Sequence, residues 1–186
     1  MLILASKSPR RRELLRGAGY NFKIIPAESE EITPDTEPAA AAVKTAEAKA
    51  LEVAEKHPKD VVLAADTIVV HNGKIMNKPS DKAEAFRMLR ALSGQRHTVI
   101  TGVVVIAGGV TETFCQRTSV EFYPLSDEEI NAYIDTDEPF DKAGGYGIQE
   151  RGALLVKCIR GDYFNVMGLP IAKTARLLKK YNIKPE

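Results

Sequence analysis

Polar and basic side chains directly follow a short apolar stretch at the start of the chain. Leu2–Ala5 is apolar, Ser6–Ser8 reads as a turn with Ser8 as helix N-cap, and Pro9 suits the first helical position, directly before Arg10, Arg11 and Arg12. A helix N-terminus favours anions, so three arginines in a first helical turn are unfavourable unless an anion compensates them. Backbone N–H groups, serine hydroxyls and guanidinium groups together suit a phosphate. The alternative is a solvated basic face, which the preceding strand, serines and proline disfavour.

A second candidate is the carboxylate of Asp66, which directly follows the apolar run Val61–Ala65. A carboxylate at the end of a buried strand is costly unless a metal ion, a cation or hydrogen bonds compensate it. The equally weighted alternative is an aspartate that caps a turn with the help of Thr67.

An acidic loop over residues 27–38 contains Glu30 and Glu31. Glutamates in such a loop are most often solvated. If the loop folds toward Asp66, however, the carboxylates and phosphate oxygens would together suit Mg²⁺ or Mn²⁺.

The remaining candidates are weaker on sequence grounds. Spacing makes Lys49 an ordinary surface lysine on a helix, whereas Lys78 precedes a proline in a tight turn. The glycine-rich segment Asp141–Gln149 would let backbone approach a ligand, although turns need glycine too. The three histidines lack metal-ligand spacing and receive no role.

The elements that must position these residues alternate between strands and helices. This alternation, with one hairpin, predicts an α/β fold with a mixed sheet and helices on both faces. Ligands of such sheets lie beyond the C-terminal ends of strands, so the Ser6 turn and Asp66 could share one cleft. The predicted strands are 2–5, 22–26, 61–70 interrupted at Asp66-Thr67, 97–107, 111–123 and 153–159. Three of the predicted helices start at the caps Ser8, Ser80 and Ser126, and two more cover 37–56 and 169–181.

Composition limits the classes of function. The 186 residues carry 26 basic and 25 acidic side chains, and this balance offers no bulk attraction to nucleic acid or membrane. We find no signal peptide and no apolar run of about 20 residues, the length of a membrane span. Two cysteines without metal spacing favour a reducing cytoplasm.

Six short motifs occur in order along nearly the whole chain, and together they resemble the Maf family of nucleotide pyrophosphatases. Each motif alone is modest evidence for the family, but six motifs in this order are highly specific for it. The motifs are Ala5–Arg11, Ala64–Thr67, Asn77–Pro79, Leu92–Gly94, Asp141–Gln149 and Asn165–Pro170.

The resemblance implies a cytoplasmic enzyme that cleaves a nucleoside triphosphate between the α- and β-phosphorus atoms. It implies a single domain over residues 1–186 with a twisted mixed sheet, flanking helices and two lobes around a central cleft. A divalent cation (Mg, Mn or Co) and a homodimer are also implied, with no membrane and no stable nucleic-acid complex.

The resemblance also implies roles for particular residues. Asp66 would be the general base and would share the metal ion with Glu31. Phosphate contacts are implied for Ser8, Arg11, Lys49 and Lys78.

Three further positions fall where the family divides by base specificity. Arg10, Thr67 and Gln149 resemble the branch that acts on dTTP and UTP, with modified pyrimidine nucleotides as further candidate substrates. One departure is Gly144-Gly145, where the family pattern has glycine-alanine.

The competing hypothesis is a regulator of cell division or septum formation that binds nucleotide or nucleic acid without catalysis. Balanced charge and the lack of an aromatic stacking motif disfavour nucleic acid. A site that only held phosphates would gain nothing from the carboxylate of Asp66.

Overall fold

We analysed a computed structural model, which describes residues 1–28 and 36–186. Seven strands of this part form one sheet in the order β2-β1-β3-β5-β6-β7, and β4 pairs with β3 away from that path. The strands are β1 (Leu2–Leu4), β2 (Lys23–Ile24), β3 (Val61–His71), β4 (Lys74–Met76), β5 (Arg96–Ala107), β6 (Val110–Phe122) and β7 (Val156–Arg160). The helices are α1 (Pro9–Gly17), α2 (Pro38–Lys56), α3 (Lys82–Leu92), α4 (Asp127–Ile134), α5 (Tyr163–Met167) and α6 (Ile171–Lys179).

The sheet is mixed, as the sequence predicts. β1 runs parallel to both β2 and β3, with Leu4 opposite Leu63, whereas β3–β4 and β6–β7 are antiparallel. Tight turns connect β3 to β4 and β5 to β6, with left-handed backbone at Asn72-Gly73 and Gly108-Gly109. The glycines and asparagine at these turns tolerate positive φ, which is why both turns could be predicted.

The chain forms two compact units. Unit 1 comprises Met1–Asp66, Thr101–Gln116 and Gly168–Glu186, and unit 2 comprises Thr67–Ile100 and Arg117–Met167. In unit 1, side chains of β1, β3 and β5 pack against the alanine-rich face of α2. In unit 2, Phe122 packs with α3 and α4 in a separate core. The predicted arrangement of two lobes around a cleft stays a prediction.

Small residues bring α2 close to the sheet in unit 1. Ala42, Ala46 and Ala50 are fully buried on the helix. A Cβ at Gly102 of β5 would lie 2.5 Å from the carbonyl carbon of Ala42 and the backbone nitrogen of Val43. Glycine at position 102 is therefore required by the packing distance between helix and strand.

The predicted interruption at Asp66 is wrong, because β3 runs without a break from Val61 to His71. The β-branched residues Thr67–Val70 favour an extended backbone. Residues that favour a turn first occur at Asn72-Gly73, and the strand ends there. Asp66 is thus not a turn cap.

The starts of α3 and α4 follow local side-chain chemistry, with one shift, whereas the predicted cap Ser8 makes no side-chain capping hydrogen bond at the start of α1. The capping box of α4 is present, with reciprocal bonds between Ser126 and Glu129. α3 is capped by Asp81 instead of the predicted Ser80, since the Asp81 carboxylate accepts from the backbone N–H of Glu84 at 2.7 Å. Ser80 instead donates its hydroxyl to the side chain of Glu84 at 2.6 Å.

The chain after α4 is less regular than predicted. Residues 138–155 include three 3₁₀ segments, and the last of them, Glu150–Leu155, delays β7 to Val156. A short helix, α5, follows β7, and the final helix begins at Ile171. In the described part of the chain, none of the helices has both the length and the apolar character needed to cross a bilayer.

Candidate active site

The turn between β1 and α1 holds an arginine in a fixed position. Arg11 donates from Nη1 to the hydroxyl oxygen of Ser6 at 3.1 Å and from Nε to the carbonyl oxygen of Gly168 at 2.8 Å. The backbone N–H of Ser8 also donates to Ser6 Oγ, at 3.2 Å. Pro9 occupies the first turn of α1, as predicted, and Ser8 is its N-cap residue. The guanidinium is therefore ordered by the fold itself.

Gly168 anchors Arg11 through its carbonyl group, a contact that the residue types alone do not indicate. It lies 157 residues from Arg11 along the chain, and it adopts a φ of +116° that favours glycine. The only sequence signal was its place in the motif Asn165–Pro170.

Asp66 forms a buried ion pair with Lys49 in unit 1. Lys49 Nζ lies 2.8 Å from Asp66 Oδ1, and the two side chains are only 11% and 13% exposed. The expectation of a surface lysine is therefore wrong. Lys49 shares the buried face of α2 with Ala46, Ala50 and Val53, at the spacing of an amphipathic helix. A cation compensates the Asp66 charge, which was one of the open alternatives.

The Ser6 turn follows β1, and Asp66 lies on the neighbouring parallel strand β3. The Ala5 N–H donates to the Leu63 carbonyl at 2.8 Å, which extends the β1–β3 pairing one residue beyond β1. Ser6 is the next residue along one chain segment, and Asp66 lies three residues beyond Leu63 on the other. The β1–β3 pairing in unit 1 therefore places the turn that follows β1 alongside the part of β3 that carries Asp66, which lies within that strand and not at its end.

The oxygen ligands of the site decide whether a divalent cation would fit there. A carboxylate oxygen is a suitable ligand for Mg²⁺ or Mn²⁺, and Asp66 offers one such group. Within residues 1–28 and 36–186, no group of three His, Cys, Asp or Glu residues is arranged to hold a metal ion. Glu31, the second predicted ligand, lies outside the described residues. Of the two predicted metal ligands, only Asp66 is therefore among the described residues.

The candidate residues of unit 2 lie on one strand and two connected loops. Thr67 is partly buried on β3, Lys78 is exposed, and Gln149 is partly buried at the end of the glycine-rich loop. The backbone N–H of Gly144 donates to the carbonyl of Asn77 at 3.0 Å. This bond ties the loop of Gln149 to the turn of Lys78.

Two tyrosine hydroxyls hold the segment Asp141–Gln149, here called the glycine loop. Tyr146 Oη lies 2.6 Å from Nε2 of His97, and the backbone N–H of Gly147 donates to Tyr133 Oη at 3.1 Å. Burial raises the pKa of both tyrosines, so their hydroxyls stay protonated. Burial also lowers the pKa of His97 to about 4, so its imidazole is neutral at pH 7. Sequence analysis gave neither His97 nor Tyr146 a role.

At Gly144 both the backbone conformation and the lack of space exclude a side chain, whereas the contact at Gly147 is with the flexible end of a lysine. Gly144 has a φ of +70°, and a Cβ there would lie 2.9 Å from Val69 Cγ1. A Cβ at Gly147 would lie 2.7 Å from Cε of Lys142. At Gly145, the departure from the family pattern, a Cβ would meet Pro79 Cγ at an ordinary 3.6 Å, although φ is +71°. An alanine would fit there in space but with backbone strain.

The predicted site residues fall into three groups. Asp66 and Lys49 are in contact, and Arg11, in the first turn of α1, is bonded to Ser6 in the turn that follows the adjacent strand β1. Thr67, Lys78 and Gln149 belong to unit 2, and Glu31 lies outside the described residues. Ser8 and Arg10 flank the arginine turn as partly buried residues of unit 1.

Comparison with known proteins identifies relatives over almost the whole chain. A family model described as Maf-like protein matches residues 1–181. A dTTP/UTP pyrophosphatase of Bacillus pumilus is 51% identical over 185 residues, which cover 99% of this chain and 98% of the relative. A dTTP/UTP pyrophosphatase of Bacillus anthracis is 51% identical over 183 residues, covering 98% and 96% respectively.

Among solved structures, the chain is similar to the Ham1 protein of Staphylococcus aureus, with a TM-score of 0.43 and 16% identity. That similarity covers 66% of this chain and 72% of the other. The full-length family match and the relatives at 51% identity confirm the resemblance seen in the motifs: the chain belongs to the Maf-like protein family.

Proposed function

We propose that this chain is a nucleoside triphosphate pyrophosphatase that hydrolyses dTTP and UTP, and modified pyrimidine nucleotides of the same shape. The products are the nucleoside monophosphate and pyrophosphate. The names of its relatives support the reaction and the substrates. The observation that carries the proposal is the buried Lys49–Asp66 pair beside the turn that fixes Arg11.

Phosphate binding follows from the chemistry of the fixed cations. Arg11 presents a planar guanidinium whose orientation is set by Ser6 and Gly168, which reduces the entropy lost when it binds a phosphate. Lys49 has three ammonium donors, so it can hold Asp66 and still donate to a phosphate oxygen. Ser8 and Lys78 complete the proposed phosphate contacts.

Asp66 acts as the general base in this proposal. A water oxygen attacks the α-phosphorus, its proton passes to the carboxylate, and the bond to the α–β bridging oxygen breaks. Pyrophosphate leaves with its developing charge stabilised by the arginine and lysine groups. The protonated carboxyl then returns its proton to solvent.

A divalent cation (Mg, Mn or Co) held by Asp66 and Glu31 would neutralise charge on the triphosphate. We expect EDTA to abolish hydrolysis and each of these cations to restore it. Full turnover in chelator would contradict the metal requirement. Circular dichroism in EDTA serves as the control for loss of fold.

Base recognition is assigned to Arg10, Thr67 and Gln149. A glutamine amide has both a donor and an acceptor, so it can pair with the Watson–Crick edge of a pyrimidine. A pocket of pyrimidine size would exclude a purine. Comparison of kcat/KM for dTTP, UTP, CTP, dATP and GTP tests this, and equal values would refute it.

The decisive experiment is product analysis after incubation with dTTP. We expect dTMP and pyrophosphate from the wild-type protein and no turnover from Asp66→Asn, which is nearly isosteric and should keep the fold. Release of inorganic phosphate and dTDP would contradict cleavage between the α and β positions. Binding without any product would support the non-catalytic regulator instead. The homodimer and the cytoplasmic location stay predictions.

A further inference from the structure

A histidine is buried in the apolar core of unit 2. His97 on β5 is 2% exposed, and its neighbours include Phe122 and Tyr146. The three rings meet edge to face, with centroids 5.0 Å apart for His97–Phe122, 5.3 Å for His97–Tyr146 and 4.7 Å for Phe122–Tyr146. Among the described residues, nothing hydrogen-bonds to His97 Nδ1. Burial of this imidazole has a free-energy cost that an apolar ring of similar size would avoid.

The other ring nitrogen contacts the glycine loop. His97 Nε2 lies 2.6 Å from the hydroxyl of Tyr146, a residue 49 positions away. Tyr146 is itself 5% exposed. The imidazole thus satisfies a hydroxyl that would otherwise be buried without a partner, and it fixes the centre of the loop against the sheet.

The fixed point lies close in sequence to Gln149, the candidate base-recognition residue of the glycine loop, and the loop is also bonded to the turn of Lys78. Gln149 follows Tyr146 by three residues, and the Gly147 N–H between them is bound to Tyr133 Oη at 3.1 Å. On the other side, the Gly144 N–H binds the carbonyl of Asn77, the residue before Lys78. Displacement of Tyr146 would therefore move the backbone only three residues before Gln149, the proposed base-recognition residue.

We propose that the buried His97–Tyr146 hydrogen bond positions the glycine loop and so determines discrimination among nucleobases, with His97 and Tyr146 as positioning residues. The inference rests on the proposed function of Gln149. Neither residue contacts substrate. Their loss is expected to weaken binding of the correct base and leave the phosphate chemistry of unit 1 unchanged.

Three variants separate the hydrogen bond from the packing. Tyr146→Phe removes only the hydroxyl, and His97→Phe keeps a ring of similar size. His97→Gln retains an amide that can reach the hydroxyl and serves as the rescue variant. Tyr181→Phe is the matched control, because it removes a tyrosine hydroxyl bonded to Glu112 at 2.8 Å in unit 1.

Steady-state kinetics with dTTP and dATP provide the first readout. We expect Tyr146→Phe and His97→Phe to raise KM for dTTP about fivefold, the effect of one neutral hydrogen bond, with kcat within about twofold of wild type. The ratio of kcat/KM for dTTP over dATP should fall by the same factor. His97→Gln should recover most of the ratio, and Tyr181→Phe should keep the wild-type value.

Amide hydrogen exchange of residues 141–149 provides the second readout, which does not depend on activity. Faster exchange in Tyr146→Phe, with unchanged exchange in β1 and α2, supports the positioning role. Unchanged loop exchange overturns it, as does a fall in kcat at constant KM. The positioning role is also overturned if Gln149→Ala loses the preference for dTTP over dATP while Tyr146→Phe keeps it.

The two proposals fail in different ways. If wild-type protein releases no pyrophosphate from any nucleotide, the proposed function fails, and loop exchange alone decides the positioning role. If Tyr146→Phe matches wild type in both readouts while Asp66→Asn is inactive, the pyrophosphatase stands and the positioning role fails.

Discussion

Protonation of His97 should destabilise the protein as the pH falls. The imidazole is neutral in the folded state because burial lowers its pKa to about 4, with a smaller contribution from His71. In the unfolded chain the same group titrates at its ordinary value of 6.5. Between these two values the unfolded state binds a proton that the folded state does not. The free energy of unfolding therefore rises with pH in this window and decreases as the pH falls through it.

The magnitude follows from the difference between the two pKa values. Each pKa unit corresponds to about 1.4 kcal/mol, so the contribution lost between pH 7 and pH 4 is about 3 kcal/mol. This is a large share of the free energy of unfolding of a typical folded domain, which is about 5–15 kcal/mol. Above pH 7 the free energy of unfolding should not vary with pH through this group.

Urea unfolding of wild type and His97→Phe, followed by circular dichroism at pH values from about 7.5 to 4, measures the effect. Carboxylates with lowered pKa, such as Glu121, titrate in both proteins and cancel in the difference between the two curves. We expect the wild-type stability to fall relative to His97→Phe by about 3 kcal/mol over this range. His97→Gln should behave like His97→Phe, since neither variant titrates.

Parallel stability profiles of wild type and His97→Phe would refute this reasoning. They would mean that His97 is protonated as easily in the folded protein as in the unfolded chain. A His71→Gln variant serves as the control, because the difference attributed to His97 should persist in that background.

Two further predictions concern unit 1. Gly102→Ala should lower the free energy of unfolding by about 2 kcal/mol or more, because its Cβ would lie 2.5 Å from backbone atoms of α2. The control variant Gly17→Ala has open space around the new Cβ and should not lower it. Equal urea midpoints for the two variants would contradict this prediction. Lys49→Met should cost about 3 kcal/mol by leaving the Asp66 carboxylate buried without its cation, and adding Asp66→Asn should recover part of that loss in urea unfolding; strictly additive losses would show that the pair is not coupled.

Local signals in the sequence predicted local structure well. Asn72-Gly73 and Gly108-Gly109 each supply the positive φ of a tight turn, and both turns are where the sequence places them. The capping box at Ser126 satisfies helix donors within four residues, so it too can be recognised without the fold. Such features depend on neighbours in sequence alone.

Contacts between distant segments could not be predicted in this way. Arg11 and Gly168 are 157 residues apart, and only the folded chain brings the carbonyl to the guanidinium. The strand through Asp66 was also misjudged, because a carboxylate within a strand looks like an end until its partner is known. The partner, Lys49, is 17 residues away on a helix.

Lys49 and His97 share a recognisable pattern. Lys49 lies among Ala46, Ala50 and Val53 on the apolar face of α2, and His97 begins a strand whose next buried residues are apolar. A titratable side chain that the fold buries needs a partner, because its burial is otherwise too costly. For Lys49 the partner is the proposed general base, and for His97 it is the loop of the proposed base-recognition residue. Spacing alone made Lys49 a surface residue, so its burial, like the group that each of these two residues contacts, was visible only in the structure.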